Sequence, residues 1–176
     1  TQLIVHKENP DMFDILVYLF ENYHDPSGQL RTSQRYEWCQ EGIPSQMDNP
    51  LMYDADYVTW GFPRWPQLLA KGQVIAGDVK YFPPSEREAL EAQGIVSLLA
   101  LPIFAHDRWY GFVGFDVCDA PRTWHRIEIE LLRAAADTIA QLIERRQAEK
   151  RLRLTQFSID HASDAVLWIG PDARIL

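Results

Sequence analysis

Two apolar runs within residues 94–119 form the most prominent pattern of the chain. Residues 95–104 are apolar apart from Ser97, residues 109–117 are largely apolar again, and the polar residues 106–108 separate them. Apolar runs of this length that flank a short polar turn predict a β-hairpin. Neither run alternates strictly between apolar and polar positions. We therefore expect both strands to be covered on both faces, as the central strands of a sheet with helices are.

A second hairpin is predicted near the start of the chain. Residues 13–23 alternate as a half-buried strand does, and residues 29–40 form a more polar strand nearer an edge of the sheet. Between them lie Pro26 and Gly28, which favour a tight turn because proline fixes one dihedral angle and glycine permits a positive φ. One face of the first strand is predicted to hold Ile15, Val17 and Leu19.

Two short helices and a short strand are predicted between the hairpins. Pro66 suits the first turn of a helix and Gly72 its end, and residues 73–79 follow as a strand. A second helix is expected to begin after Ser85, because Ser85 is followed three residues later by Glu88 in the spacing of a capping box.

A long helix without internal glycine or proline is predicted over residues 125–157. Its apolar positions recur at helical spacing, and beyond Ile143 they give way to the charged residues 144–151. This change predicts that the helix leaves its domain at about residue 144 and then runs alone or pairs with a copy of itself. One apolar face is predicted to contain Ile127, Leu131, Leu132, Ala135, Ile139, Leu142 and Ile143.

Composition excludes several classes of protein. The net charge of -8 disfavours nucleic-acid partners, because their binding rests on Lys and Arg that neutralise phosphates. No apolar run approaches the ~18 residues of a membrane-spanning helix, so no membrane partner is expected for this sequence. Cys39 and Cys118 are too few for a disulfide framework, which favours a reducing cytoplasmic location.

Several motifs in a fixed order resemble those of a GAF domain. They are VYLFEN, RYEWCQEGIPSQ, FPRWPQLLAKGQVI, LEAQGIVSLLALPI and WYGFVGFD, and they fall within residues 13–145. GAF domains of this kind occur in bacterial multidomain sensor proteins, which include histidine kinases and diguanylate cyclases. The resemblance implies an α+β, profilin-like fold with an antiparallel sheet of five or six strands. It also implies helices on both faces and a long C-terminal signalling helix that dimerises.

The resemblance divides the chain into three parts. Residues 1–143 are expected to form the GAF domain, with its usual opening helix cut short, and residues 144–156 a helical coiled-coil linker. Residues 157–176 are similar to the start of a PAS domain, and the sequence stops in mid-pattern. We therefore expect the chain to be a piece of a longer protein.

In GAF domains the ligand pocket lies between the sheet and the loops and short helices that connect its strands. An aromatic-lined cavity with a few polar groups is typical of small-molecule sites, although an aromatic cluster also forms an ordinary core. A cavity of roughly several hundred cubic ångströms would favour sensing, and a filled interior would favour a spacer. The resemblance places around the pocket Trp38, Trp60, Phe62, Trp65, Asp78, Ser97, Leu99 and Phe115.

No catalytic or metal-binding pattern stands out. Some GAF domains attach a bilin through a Cys-His pair, which this sequence lacks, and the identity of any cofactor stays unknown. Others reduce methionine sulfoxide through cysteines, whereas Cys39 and Cys118 lie in strand-like segments and are expected to be inert buried thiols. The five histidines have no metal-ligand spacing with a cysteine or carboxylate, so no metal site is expected.

These observations support three hypotheses for function. The first is a cytoplasmic, non-catalytic sensory module of a histidine kinase or diguanylate cyclase, which binds a small ligand and relays the signal through a dimeric helix to a PAS or output domain. The second is a ligand-free dimerisation or spacer module. The third is a cysteine-based methionine sulfoxide reductase. In the first, a homodimer forms through the terminal helices, and the signalling helix acts through Ile127, Leu131, Ala135, Ile139 and Leu142.

Overall fold

The structure, a computed structural model, describes residues 15–160. Its centre is a five-stranded antiparallel sheet in the order β2-β1-β5-β4-β3. The strands are β1 (Ile15–His24), β2 (Leu30–Cys39), β3 (Ile75–Asp78), β4 (Ser97–Ala105) and β5 (Arg108–Val117). The helices are α1 (Trp65–Leu69), α2 (Pro84–Glu91) and α3 (Arg126–Asp160), with single 3-10 turns at Pro50–Met52 and Val79–Tyr81. The predicted α+β fold is confirmed.

The predicted central hairpin is formed by β4 and β5. Strand β5 occupies the middle of the sheet, between β1 and β4. The turn consists of His106 and Asp107, whose φ angles are 52° and 58°. Two consecutive positive φ angles are typical of a type I′ turn, which matches the right-handed twist of the flanking strands. Nearly every side chain of β4 is buried, as its uninterrupted apolar sequence predicts.

The first hairpin lies at one edge of the sheet. Its turn is held by Asp25, whose Oδ1 accepts hydrogen bonds from the backbone N–H groups of Ser27 at 2.8 Å and Gln29 at 3.0 Å. Gly28 has a φ of 85°, which is the positive value that the sequence predicts for this turn. The edge position of β2 agrees with its polar composition.

The predicted capping box at the start of α2 is wrong. The helix begins at Pro84, with Pro83 in the cap position and no side-chain cap hydrogen bond. Ser85 and Glu88 therefore both lie inside the helix. A proline at the first helical position already has the required φ and leaves one fewer unpaired N–H at the helix start, so the helix can begin without a capping side chain.

The two faces of the sheet have different covers. Helices α1 and α2 and the connecting loops cover one face, which we call the aromatic face because its buried cluster is rich in Phe, Tyr and Trp. Helix α3 covers the other, which we call the helix face and whose cluster is mainly aliphatic. Strand β1 contributes to both, because its residues alternate: Tyr18 and Phe20 belong to the aromatic face, Val17 and Leu19 to the helix face.

The prediction of a single apolar face on α3 is wrong, because the apolar residues divide between two sides of the helix. At 3.6 residues per turn, Ile127 and Ile143 point about 160° apart. The side that packs on the sheet contains Leu132, Ala136, Ile139, Ala140 and Ile143. The exposed side contains Ile127, Leu131, Ala135 and Leu142.

Two predictions lie outside the described residues. These are the shortened opening helix, at residues 1–14, and most of the segment that is similar to a PAS domain, at residues 161–176. Helix α3 itself continues past residue 156 to Asp160. Within residues 15–160, no helix is long and apolar enough to cross a membrane.

Candidate functional site

Five aromatic side chains pack together on the aromatic face. Trp65 is 2% exposed, and its ring centroid lies 4.7 Å from that of Phe62 and 5.3 Å from that of Phe112. Phe112 of β5 stacks on Phe20 of β1 at 5.0 Å, and Trp60 lies 4.9 Å from Phe62. Ring pairs of this kind add about 0.5–1.5 kcal/mol beyond the area that they bury. The cluster therefore ties α1 and its preceding loop to the two middle strands.

An ion pair between the half-exposed Arg64 and the buried Glu86 fixes the position of Trp65. Glu86 of α2 is buried, and Arg64 donates to both of its oxygens, at 2.6 Å through Nε and 2.9 Å through Nη2. The indole N–H of Trp65 donates a third hydrogen bond to Glu86, at 3.1 Å. A buried carboxylate needs several donors, because its desolvation otherwise exceeds the attraction to a single cation. These bonds lock α1 and α2 together behind the aromatic cluster.

The aromatic cluster leaves a cavity of about 20 Å³ against the sheet. A space of this size holds about one water molecule. Its walls are mostly aromatic and aliphatic, and none of the lysines, arginines or histidines in the described part of the chain lines it. Its polar lining consists of Tyr18, Gln34, Glu37, Gln46, Gln93 and Asp116.

Asp116 is a buried carboxyl group in the wall of this cavity. The residue is 1% exposed, and its Oδ1 accepts a hydrogen bond of 3.0 Å from the hydroxyl of Tyr18. Burial raises the pKa of Asp116 to about 8, against a smaller lowering by the hydrogen bond from Tyr18. The carboxyl therefore keeps its proton at neutral pH. Gly114 makes room for this pair, because a Cβ at that position would lie 2.1 Å from the ring of Tyr18.

The second carboxyl group of the cavity, Glu37 of β2, is half-buried and heavily bonded. It accepts hydrogen bonds from the side-chain amide of Gln34 at 2.9 Å and from the backbone N–H of Gln46 at 2.9 and 3.0 Å. The hydroxyl of Ser45 also donates to it, and the thiol of Cys39 lies 3.6 Å from it. Glu37 thereby anchors the loop after β2 beside the cavity.

The structure separates the eight residues that the sequence predicted around a pocket. Trp60, Phe62 and Trp65 line the cavity. Leu99 and Phe115 lie on the helix face, beneath α3, because alternate strand residues point to opposite faces. Trp38 is 60% exposed on the edge strand β2. The predicted set therefore does not form one site.

Asp78 and Ser97 form a polar pair away from the cavity, where β3 ends and β4 begins. The Ser97 hydroxyl donates to Asp78 Oδ1 at 2.9 Å and accepts from the backbone N–H of Arg122 at 2.9 Å. Hydrogen bonds from Ser97 and then from Lys80 lower the pKa of Asp78. The pair joins the segment after β5 to the edge of the sheet.

Sequence reasoning missed the polar lining of the cavity. Tyr18, Glu37 and Asp116 come from three neighbouring strands, and their meeting depends on the register of β1 with β2 and β5. This register depends on residues far apart in the chain, so local sequence patterns do not reveal it. One signal is present in the sequence, since Asp116 interrupts the apolar run of a central strand. A carboxyl group is almost never buried without a partner or a role.

Cys39 lacks the features of a reactive thiol. Burial and the nearby Glu37 raise its pKa, whereas catalytic cysteines have lowered pKa values. Cys39 and Cys118 are not joined by a disulfide. Among residues 15–160, no group of three His, Cys, Asp or Glu side chains could hold a metal ion.

The profile of the GAF domain family matches residues 15–143, and the chain belongs to this family. A methanogenesis regulatory histidine kinase, FilI, from Methanothrix harundinacea is 40% identical over 122 residues, or 69% of this chain and 14% of that protein. A circadian input-output histidine kinase, CikA, from Thermosynechococcus vestitus is 26% identical over 157 residues, or 85% of this chain and 21% of that protein. The chain thus spans a small part of the length of either relative.

Solved structures have the same fold. A GAF domain from Synechocystis sp. PCC6803, in its photoproduct state, has a TM-score of 0.63 at 22% identity and covers 78% of this chain and 86% of that one. A phycocyanobilin-bound GAF domain from a cyanobacterial phytochrome has a TM-score of 0.61 at 21% identity and covers 78% of each chain. At these identities the likeness shows the fold alone.

The aromatic face of this chain does not fit a tetrapyrrole as it stands. Pockets for ligands of drug size have volumes of about 300–1,000 Å³, whereas the cavity beside Trp65 measures about 20 Å³. The rings of Phe62, Trp65 and Phe112 fill most of the interior on this face, and they would have to move to admit a bilin. Neither Cys39 nor Cys118 lines the cavity.

Proposed function

We propose that this chain is a cytoplasmic sensory module of a multidomain histidine kinase. A small ligand acts at the aromatic face, and a dimeric α3 passes the resulting change to a PAS or other output domain downstream. Membership of the GAF family and the two histidine kinases among its relatives support this proposal. A diguanylate cyclase output has no such support among the relatives named above.

The middle strands of the sheet connect the cavity to α3, and this is the observation on which the proposal rests. Tyr18 of β1 and Asp116 of β5 line the cavity, whereas the adjacent Leu19 and Phe115 lie under α3. Because neighbouring side chains of a strand share one backbone in a closely packed interior, a displacement on one face alters the contacts on the other. A ligand shifts the state of α3 to the extent that it binds the two states unequally.

The exposed side of α3 supports a helical dimer. Positions 131, 135, 138, 142, 145, 149, 152, 156 and 159 form a stripe whose spacings alternate between four and three residues, as in a coiled coil. Leu131, Leu142 and Leu152 of this stripe are exposed. A second copy of α3 is the occupant that we propose, because identical stripes are self-complementary about a two-fold axis. Four positions of the stripe are polar, namely Thr138, Arg145, Glu149 and Gln156, and Arg145 and Glu149 pair with each other at 2.9 Å.

Sedimentation of a Leu142→Glu variant tests this dimer. Leu142 is 56% exposed, so the change should leave the fold intact. We expect the wild-type chain to dimerise and the variant to dissociate at least about tenfold more readily, because a charge replaces an apolar group in the stripe. Gln141→Glu adds the same charge about 100° around the helix and should behave as wild type. Equal dissociation constants for Leu142→Glu and wild type would contradict the proposal.

A ligand-free spacer is the second candidate, and the small volume of the cavity favours it. The interior beside Trp65 holds about 20 Å³ of free space because the chain's own rings fill it. A thermal-shift screen of metabolites on the 176-residue chain separates the two candidates, since a ligand of the native state raises the melting temperature. A saturable rise favours the sensor. A flat response to every compound, together with an intact dimer, favours the spacer.

A further inference from the structure

Among the described residues, acidic and uncharged side chains line the small cavity on the aromatic face, and no basic one does. Two carboxyl groups, those of Asp116 and Glu37, contribute to it, with the hydroxyl of Tyr18 and three glutamine amides. No basic side chain of residues 15–160 contributes to it. The lining therefore offers hydrogen-bond acceptors and groups that can become negatively charged, and its described residues offer no cation to a carboxylate or phosphate.

We propose that this cavity binds the ammonium head of a primary amine, with Asp116 and Tyr18 as its acceptors and Trp60 and Trp65 as its walls. This inference rests on the proposed sensory role of the aromatic face and names the class of ligand that is sensed there. Carboxylates and the faces of aromatic rings both attract organic cations, and a tryptophan ring does so most strongly.

Asp116, and not Glu37, is the acceptor that remains available. Glu37 already accepts hydrogen bonds from Gln34, Ser45 and Gln46. Asp116 accepts one hydrogen bond from the described residues, at 3.0 Å from Tyr18, whereas a carboxylate has about four acceptor sites. An ammonium group carries the donors that this buried carboxyl lacks, so the two are complementary.

The volume of the cavity matches the head of the ligand and not its body. A space of about 20 Å³ takes one group of the size of water, which is also the size of an –NH₃⁺ group. The remainder of the amine extends past Gln46 and Gln93, which are half-exposed members of the lining. A quaternary ammonium group is larger than this space. The site therefore selects primary over quaternary amines.

Binding of the cation is coupled to loss of a proton from Asp116. Because burial raises the pKa of Asp116 to about 8, its carboxyl is neutral in the free domain at neutral pH. As the ammonium enters, the carboxylate form is favoured and the proton leaves to solvent. The other titratable groups in the lining are Tyr18 on β1 and Glu37 on β2, and α1, α2 and the loops contribute uncharged side chains. Affinity therefore rises about tenfold per pH unit up to a pH of about 8 and then levels off.

Titration of the 176-residue chain with methylammonium chloride tests the proposal, with melting temperature and tryptophan fluorescence as readouts. We expect a saturable rise in melting temperature at pH 9 and an apparent affinity about tenfold weaker at pH 7. Sodium chloride at equal ionic strength and tetramethylammonium chloride should give no saturable rise. The absence of a response to methylammonium at pH 9, or an equal response to tetramethylammonium, would overturn the proposal.

Two variants and a matched control locate the effect. Asp116→Asn keeps the shape and an acceptor for Tyr18, and it should lose the response to methylammonium together with its pH dependence. Tyr18→Phe should weaken the response several-fold. Asp78→Asn removes a carboxylate outside the cavity and should respond as wild type. The wild-type titration decides the question even where a variant fails to fold.

Two results would have different meanings for the two proposals. An Asp116→Asn variant that responds like wild type would overturn the amine site and leave the sensory proposal standing, since self-association of α3 tests the relay independently. Loss of the dimer alone would leave the amine site standing, because the cavity is built within one chain.

Discussion

The two faces of the sheet are covered in different ways, and the proposed function assigns recognition to one and transmission to the other. On the aromatic face, loops and short helices enclose large rings and both fully buried carboxyl groups of the described residues, Glu86 and Asp116. On the helix face, one long helix approaches the strands closely through Ala136 and Ala140. The aromatic face therefore contains buried polar groups among its rings, whereas the cluster of the helix face is mainly aliphatic.

Among single substitutions on the two faces, removal of the Trp65 side chain should reduce stability most. Trp65→Ala empties the centre of the aromatic cluster and leaves Glu86 without one of its donors, so we expect a loss of about 3–5 kcal/mol in the free energy of unfolding. Trp38→Ala, on the exposed edge, should cost less than about 1 kcal/mol. Urea denaturation monitored by circular dichroism measures both. Similar losses for the two tryptophans would show that the aromatic face is not the principal core.

The second largest loss of stability is expected when a larger side chain is introduced into the helix face. Ala136 is buried between α3 and the sheet, and Ala136→Leu forces the two apart, at a cost of about 1–3 kcal/mol. Ala134→Leu makes the same change on the exposed side of α3 and should cost nearly nothing. If the two variants melted at the same temperature, close contact between α3 and the sheet would be disproved.

Asp116 should make the free energy of unfolding depend on pH, and the change per pH unit should be smaller than the largest losses expected above. Its pKa is about 8 in the folded chain against an ordinary value of 3.8, so the folded state holds a proton that the unfolded state loses between these values. The stabilisation by this proton is complete below the ordinary value and is lost as pH rises, by up to about 1.4 kcal/mol per unit.

Asp116→Asn removes this contribution. Between pH 5 and 8, urea denaturation should show a steeper loss of stability for wild type than for the variant. Asp78→Asn serves as the control, because hydrogen bonds lower the pKa of Asp78 and its contribution changes only at acid pH. Parallel pH profiles of wild type and Asp116→Asn would refute a protonated buried Asp116.

The smallest effect is expected beyond the sheet. Arg145 and Glu149 form an exposed ion pair on α3 at 2.9 Å. Glu149→Gln should reduce stability by about 0.3–0.5 kcal/mol, the usual contribution of such a pair on a helix. Thermal unfolding at low and high salt measures it, and a loss above about 1 kcal/mol at low salt would place Glu149 in a tighter contact.

Local sequence patterns predict the frame of this fold well. The central hairpin follows from two apolar runs and a polar turn, and the first hairpin follows from Pro26 and Gly28. The faces of α3 were harder to predict, because apolar residues occur on both of its sides and only packing shows which side meets the sheet. The predicted start of α2 is wrong because Ser85 and Glu88 have the spacing of a capping box, whereas the helix already begins at Pro84.

The candidate site was predicted only in part. Trp60, Phe62 and Trp65 belong to one continuous segment, so a family resemblance places them together. Leu99 and Phe115 were misplaced because a strand residue changes face with a shift of one position. The role of Asp116 could not be predicted from local patterns, because its partner Tyr18 is 98 residues away in the chain.

The length of α3 has a mechanical consequence. Ile143 is the last residue of α3 in the aliphatic cluster, and Arg146 still lies 3.5 Å from the hydroxyl of Tyr36. Beyond Arg146 the helix continues to Asp160 for about 21 Å. With this rise per residue, a tilt of about 5° at the sheet displaces the far end by about 2 Å. In the proposed relay the helix would act as a lever: a movement too small to alter the fold around Asp116 would appear enlarged at Asp160.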